Sequence, residues 1–289
     1  AMNGTPRQMI VSIAVSKRFK VEDLEEFYDG LRKACDKWNV DIVGGDTTSS
    51  YTGLAISITC IGEADAKDIV YRNGARETDL ICVSGDLGAA YMGLQLLERE
   101  KSVYYQQIDT INKKIQKANA EGNDALVKHL QEEGMKITDF QHDFAGREYL
   151  IQRQLKPEAR GDIIALLKEN NIHPTAMMDI SDGLSSELLH ICRQSHCGCR
   201  IYEKKIPIDY QTAVTAEEFN MNVTTCAMNG GEDYELLFTC PIGDHEKLNA
   251  LEHKGIRQIG YITKKELGTR LLSRDNKEFD ITAQGWKAF

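Results

Sequence analysis

The sequence has no long apolar run and no excess of basic residues. None of its apolar stretches approaches the ~20 residues that cross a bilayer, and we expect no signal peptide at its start. The 289 residues carry a formal net charge of −9. A chain of this charge gives no support to binding of nucleic acid or of an anionic membrane surface.

The common nucleotide-binding and hydrolase motifs are missing as well. The sequence contains no G-x-x-x-x-G-K-[ST] loop, no protein-kinase signature set and no G-x-S-x-G elbow. SGDLG at 84–88 lacks the full G-x-G-x-x-G pattern and is more typical of a strand–helix turn. A bound nucleotide would therefore need a different scaffold.

The eight cysteines do not form a disulfide pattern. Several lie inside apolar stretches, where a free thiol behaves as a small apolar group, so we expect a reducing, cytoplasmic location. Cys192, His196, Cys197 and Cys199 form C-x₃-H-C-x-C, which could hold structural zinc. The spacing matches no common zinc module, which favours buried thiols.

Apolar periodicity predicts a mixed α/β chain. Alternating positions predict strands at 9–15 and 54–64, a short strand at 41–45 ends in glycines, and an amphipathic pattern predicts a helix over 21–38. A second unit begins near Ala75. Residues 98–147 are rich in Lys, Glu and Gln and predict two exposed helices broken at Gly122. We favour a solvated hairpin there over a partner-binding arm.

Three segments share one pattern, an apolar strand beside glycine and acidic residues. IVGGDTTSS (42–50) places Asp46 after two glycines, MMDISDGLSS (177–186) places Asp179 and Asp182 around Ser181, and NGGEDYELLFT (229–239) places Glu232 and Asp233 before a strand. Each has a local alternative: a hairpin turn, a helix cap and a charged strand entry, respectively. Together, such carboxylates imply either a cationic substrate or metal ions that serve an anionic one, and Mg²⁺ prefers carboxylate, phosphate and water oxygens.

At these motifs the sequence resembles the thiamine-monophosphate kinase family, within the group of proteins similar to aminoimidazole ribonucleotide synthetase. The matching segments are VGGDTTSS, YRNGAR, MMDISDGLSSELLHIC, IPI, NGGEDYELLFT and a final GW–F pattern. The resemblance implies an α+β, two-domain architecture: a truncated mixed α/β N-terminal domain over 1–74, and an α/β sandwich over 75–289 with a charged helical insertion at about 98–147. It also implies a homodimer.

The resemblance further implies an activity and a set of site residues. ATP would give its γ-phosphoryl group to thiamine monophosphate, forming thiamine diphosphate. Asp46, Asp179 and Asp182 would bind Mg²⁺, and Gly45, Asp46, Arg72 and Ser181 would contact ATP. Asp46, Arg72 and Asp182 would serve catalysis by aligning and neutralising phosphates. Glu232 and Trp286 would contact the cationic thiamine part.

The sequence departs from the family pattern at its start and in its insertion. Family members begin with a further segment that carries a GDDAA-like motif, so we expect this chain to be truncated. The insertion at 98–147 is also longer than the family's usual connection. Two alternatives remain: another ATP-using enzyme of the same superfamily, against which GGEDYELLFT argues, or a non-catalytic nucleotide-binding protein.

Overall fold

The computed structural model describes residues 1–138 and 144–283, and it divides the chain into two compact units. The first unit spans Ala1–Val70 and the second Tyr71–Phe289. Both contain helices and sheets, which confirms the α+β prediction. Within the described ranges, no helix combines the length and the apolar character that a bilayer crossing requires. The domain boundary predicted after residue 74 lies inside the second unit and stays a prediction.

The first unit is a three-stranded sheet with one helix packed on it. The strands and the helix are β1 (Thr5–Val15), α1 (Val21–Trp38), β2 (Asp41–Ser49) and β3 (Leu54–Glu63). The strand order is β2-β1-β3, with β1 parallel to β2 and antiparallel to β3. Because parallel neighbours need a crossover connection, α1 joins β1 to β2 and buries its apolar residues against β1.

β2 is longer than the sequence predicted. The glycines at its centre suggested a strand end, but the ladder with β1 continues to Ser49. A Cβ atom on Gly45 would lie 1.9 Å from the Val11 carbonyl oxygen, so the two strands approach at a distance that admits no side chain there. Asp46 therefore lies inside a strand, paired with Ser12. The hairpin-turn alternative for this segment is wrong.

The apolar face of this sheet extends beyond the helix. Val11 and Ile13 of β1 are each 2% exposed beneath α1. Their antiparallel partners on β3 are Ile58 and Ile56, which share that face and remain 48% and 45% exposed. The first unit therefore displays apolar side chains on β3 that α1 does not cover.

The second unit is built on a seven-stranded sheet. Its strands are β4 (Leu80–Ser84), β5 (Ala176–Ile180), β6 (Gly198–Tyr202), β7 (Glu235–Cys240), β8 (Ile256–Thr263), β9 (Thr269–Leu272) and β10 (Glu278–Asp280), in the order β10-β9-β6-β8-β4-β7-β5. Its helices are α2 (Ala89–Ala120), α3 (Asp124–Thr138), α4 (Glu148–Leu155), α5 (Gly161–Glu169), α6 (Leu184–Gln194), α7 (Tyr210–Glu218), α8 (Val223–Asn229) and α9 (His245–Ala250).

Strand directions bring several loops to one edge of this sheet. β4 and β5 are both antiparallel to β7, which lies between them, so the carboxyl ends of β4 and β5 meet the amino end of β7. The main core lies under this arrangement and contains residues of β4, β5, β7 and α6. The loops that follow β4 and β5 and the loop that precedes β7 are therefore neighbours.

The charged segment at 98–147 begins inside a helix. α2 runs without interruption from Ala89 to Ala120 and carries the chain out from the core. The predicted break at Gly122 is confirmed, since α2 and α3 are separate helices on either side of it. Ile111, Ala118 and Leu130 are buried, so the hairpin has a small core of its own.

Candidate active site

β5 presents the predicted acidic residues at the edge described above. Asp179 lies in the strand and is partly buried, while Asp182 follows it and is exposed. The N-cap position of α6 is Gly183, so Ser181 and Asp182 precede the cap rather than occupy it. The capping alternative for this segment is therefore wrong, and Ser181 and Asp182 occupy the turn between β5 and α6.

The segment between α8 and β7 lies directly against that turn. The backbone N–H of Glu232 donates to the Ser181 carbonyl at 2.8 Å, and that of Tyr234 donates to the Ile180 carbonyl at 2.8 Å. Gly231 has a φ of 72°, and a Cβ atom there would lie 2.6 Å from the Ser181 oxygen. Two of the three acidic motifs found in the sequence are thus joined by backbone hydrogen bonds.

A cavity of about 490 Å³ opens where the two segments meet. Ser181, Asp182 and Glu232, all predicted from sequence as site residues, line it together with Tyr91 and Asn229. The Tyr234 hydroxyl donates to a Glu232 carboxylate oxygen at 3.1 Å, which orients that side chain. The walls combine carboxylates, a hydroxyl and an aromatic ring, which suits a flat, cationic group.

A third carboxyl group lies behind the aspartates. Glu187 of α6 is 1% exposed; one of its oxygens accepts from the Asp182 N–H at 3.1 Å, and the other has no partner among the described residues. Burial raises the pKa of Glu187 to about 7, and the charges of Asp182 and Asp179 add to the effect. An unpartnered buried carboxyl oxygen beside two aspartates fits a nearby cation.

Protein side chains do not complete a metal site by themselves here. In residues 1–138 and 144–283, no three His, Cys, Asp or Glu side chains are grouped to hold an ion. Mg²⁺ needs few protein ligands, because it retains water and takes phosphate oxygens from its substrate. Asp179 and Asp182 fit that mode of binding.

Arg72 lies on the same side of the second unit as Asp182. The charges of both residues influence His190 of α6. Burial lowers the pKa of His190, and the guanidinium groups of Arg193 and Arg72 lower it further, whereas the Asp182 carboxylate raises it. The backbone around Arg72 is held by Ser195, whose hydroxyl donates to the Arg72 carbonyl at 3.3 Å. Arg72 itself is exposed and available to an anion.

The other predicted site residues lie in the first unit or outside the described residues. Gly45 and Asp46 lie within β2 of the first unit, where Asp46 is exposed on the face opposite to that of Val11. Trp286 lies outside the described residues. In the candidate zinc group, Cys192 lies within hydrogen-bonding reach of Cys197 and Cys199, while His196 is exposed. These thiols are not grouped with other ligands in a way that could hold a metal ion, as far as the described residues go.

Sequence reasoning missed a buried ionic network at the start of β7. Arg153 donates to Glu235 at 2.8 Å and to the Asp86 carbonyl at 3.0 Å, and Arg160 also donates to Glu235. Glu235 is 1% exposed, and Ser84 completes its set of donors. The only sequence signal for this network was Glu235, an acidic residue at the start of the buried strand β7. Its partners Arg153 and Arg160 lie far away in the sequence.

Comparison with known proteins agrees with this architecture. The AIR synthase related protein N-terminal domain matches residues 1–64, and the AIR synthase related protein C-terminal domain matches residues 120–271. The solved structure of AaThiL complexed with AMPPCP and TMP superposes with a TM-score of 0.75 at 29% identity, covering 100% of this chain and 75% of that one. Hydrogenase maturation protein HypE shares the fold, with a TM-score of 0.69 at 18% identity.

Curated relatives identify the family within this group of proteins. The thiamine-monophosphate kinase of Buchnera aphidicola subsp. Schizaphis graminum is 32% identical over 96% of this chain and 72% of its own length. That of Bacillus subtilis is 26% identical over 100% of this chain and 77% of its own length. This chain therefore belongs to the thiamine-monophosphate kinase family, within the AIR synthase-related proteins.

Proposed function

We propose that the chain is a thiamine-monophosphate kinase, which transfers the γ-phosphoryl group of ATP to thiamine monophosphate and gives thiamine diphosphate and ADP. The observation that carries the proposal is the cavity in which Glu232, Ser181 and Asp182 meet. It combines a carboxylate for a cationic substrate with acidic groups that suit a metal–phosphate complex. Family membership supports the same reaction.

Each end of the substrate has a proposed partner in the second unit. Glu232 faces the thiazolium cation, with Tyr234 fixing its orientation through the 3.1 Å hydrogen bond. Ser181 contacts the nucleotide, and Arg72 neutralises its phosphates. Trp286 is proposed as a further contact to the thiamine part.

The reaction needs no separate general base. The attacking atom is an oxygen of the substrate's own phosphate, which is already anionic near neutral pH. It forms a new bond to the γ-phosphorus while the bond to the bridging oxygen of ADP breaks. Arg72 contributes by neutralising charge, and Ser181 and Glu232 contribute by alignment.

Magnesium, when bound, would shield the phosphates and stabilise the charge that develops on the leaving oxygen. Asp179 and Asp182 are proposed to hold it in the second unit, where the unpartnered Glu187 oxygen supports a nearby cation. Asp46, with Gly45 beside it, is proposed for the same chemistry in the first unit. Its exposed carboxylate has Ser12 as strand neighbour.

We also propose a homodimer and a cytoplasmic location. The apolar residues of β3 in the first unit are exposed at Leu54, Ile56 and Ile58. A contiguous apolar sheet face of this kind favours a protein contact, and a second copy is the partner that the family implies. The eight cysteines are all free thiols, most of them buried, which fits a reducing compartment.

ADP release from Mg-ATP, measured with and without thiamine monophosphate, tests the proposal. We would measure it on this chain, with the Bacillus subtilis relative as a positive control. Release that depends on thiamine monophosphate and is lost in Asp182→Asn supports the kinase. Nucleotide binding by this chain without such release, under conditions in which the relative is active, favours the non-catalytic alternative.

A further inference from the structure

The loop that carries Glu232 has an unusual backbone. Gly231, Glu232 and Tyr234 have φ values of 72°, 63° and 51°. Side chains other than glycine rarely adopt this left-handed region, and two such residues within three positions persist only when their surroundings hold them. Both non-glycine residues carry side chains that touch each other at the cavity, through the Tyr234–Glu232 hydrogen bond.

The residue between them supplies the anchor. Asp233 is 2% exposed and points into the protein, away from the two exposed neighbours. Its carboxylate accepts from the Gly88 N–H at 2.8 Å and from the Ala90 N–H at 3.3 Å, where α2 begins. Arg153 lies 3.6 Å from the same carboxylate. Backbone donors at the start of a helix favour a carboxylate in this position.

Backbone hydrogen bonds hold the opposite side of the loop. The amides of Glu232 and Tyr234 bond the carbonyls of Ser181 and Ile180, each at 2.8 Å. Glu232 thus fixes the loop to the turn after β5, Tyr234 fixes it to the end of β5, and Asp233 fixes it to the start of α2. Loss of the Asp233 contact would release the strain and let Glu232 leave the cavity.

We propose that Asp233 is a positioning residue for substrate recognition: it holds the loop in its left-handed conformation and thereby aims Glu232 at the cationic ring of the substrate. The inference rests on the proposed function and adds to it a residue that does not touch the substrate. A merely structural role would lower stability without a selective effect on one substrate.

Asp233→Asn tests this, with Asp79→Asn as a matched control. Asp79 is 4% exposed, accepts from the Arg76 N–H at 2.9 Å and from the Thr175 hydroxyl at 2.6 Å, and follows the left-handed Thr78. It lies at the opposite end of β4 from Gly88. Both substitutions therefore remove a buried carboxylate next to a residue with left-handed backbone, but only Asp233 is next to a residue that lines the cavity.

We expect Asp233→Asn to raise KM for thiamine monophosphate about tenfold or more, with kcat and KM for ATP within about twofold. Hydrogen exchange at the Glu232 and Tyr234 amides should quicken in the same variant. Asp79→Asn should change neither KM nor these amides. Should Asp233→Asn not fold, Asp233→Glu keeps the carboxyl group but displaces it, and should raise the same KM.

An unchanged KM in the Asp233 variants, or an equal rise in Asp79→Asn, overturns the inference. If the proposed function is wrong, a different measurement shows it: the unsubstituted protein releases no ADP in response to thiamine monophosphate. With an active parent protein, only the positioning role is at stake in the comparison of variants.

Discussion

Glu232 and Asp233 are adjacent carboxylates with opposite surroundings. Glu232 is exposed at the cavity, whereas Asp233 is 2% exposed and bound to the start of α2. A solvated carboxylate remains charged and can attract a cation, while a buried one acts through its hydrogen bonds. We therefore propose that Glu232 carries the charge that recognises the substrate and that Asp233 acts through the backbone.

Glu232→Gln should weaken binding of thiamine monophosphate selectively. The change removes the charge and keeps the shape, and a hydrogen bond or contact to a charged group contributes about 1.5–3 kcal/mol. We expect KM for thiamine monophosphate to rise roughly 10–100-fold with little change in kcat. Glu246→Gln, an exposed residue of α9, is the control. Equal KM values for the two variants would contradict the role of Glu232.

Titration of Asp233 should lower the stability of the protein as the pH rises from about 4 to about 7. Burial raises the pKa of Asp233 from 3.8 to about 7, although the Gly88 N–H and Arg153 favour the charged form. The folded protein keeps a proton that the unfolded chain loses, so the stabilisation is complete below about pH 4 and is lost as the pH rises through about 7, an effect of up to about 4 kcal/mol.

Urea unfolding at about pH 5 and about pH 8 measures this effect. The unsubstituted protein should lose more stability between the two pH values than Asp233→Asn, which cannot titrate there. An identical loss in both proteins would show that Asp233 is ionised throughout.

The site residues that the sequence revealed are those that follow a simple pattern. Ser181, Asp182 and Glu232 stand beside apolar strands whose directions make their loops neighbours, and the structure brings them together. Glu187 escaped notice because it lies among the apolar residues of α6, where an acid is unexpected. Arg153 could not be found, because its partner Glu235 is 82 residues away in sequence.

At the scale of elements, the ends of helices and strands depended on packing more than on local sequence. Gly44 and Gly45 suggested the end of β2, but pairing with β1 extends the strand through them. The charged composition of residues 98–147 predicted two exposed helices and gave no sign that the first of them begins inside the core. These residues are good helix formers with no breaker before Gly122, so α2 continues. The local sequence therefore predicted the break at Gly122 but not the continuous helix before it.

The helical hairpin should be stabilised by its own small core. Ile111 of α2 is 5% exposed, and its methyl group lies near Gly134 of α3. Ile111→Ala should cost about 2–4 kcal/mol of local stability, seen as faster hydrogen exchange in α3, with turnover unchanged. Lys114→Ala, on an exposed part of α2, is the control. Unaltered exchange would show that α3 is not held by this contact.

At the scale of the molecule, the exposed sheet face of the first unit predicts self-association. Ile58 is 48% exposed on that face, and Ile58→Glu would place a charge within an apolar contact. We expect the unsubstituted protein to sediment as a dimer at micromolar concentration and Ile58→Glu to shift toward monomer. A monomeric parent protein would contradict the proposed homodimer. Ser57→Glu, on the opposite face of β3, is the control.

The overall architecture was predictable mainly through the resemblance of the motifs to a known family. Periodicity alone indicated mixed α and β structure, but it gave no strand order for the seven-stranded sheet, whose neighbours are distant in sequence. Long-range pairing of this kind leaves little trace in a single sequence. The motifs identified the family because their combination of glycines, carboxylates and hydroxyls is specific to it.

Direct transfer of the γ-phosphoryl group is the central claim, and following that group tests it most directly. The protein would be incubated with thiamine monophosphate and Mg-ATP that carries a radiolabelled γ-phosphate, and the products separated. We predict label in thiamine diphosphate, formed in an amount equal to the ADP. Label found only in inorganic phosphate, with thiamine monophosphate unchanged, would contradict the account.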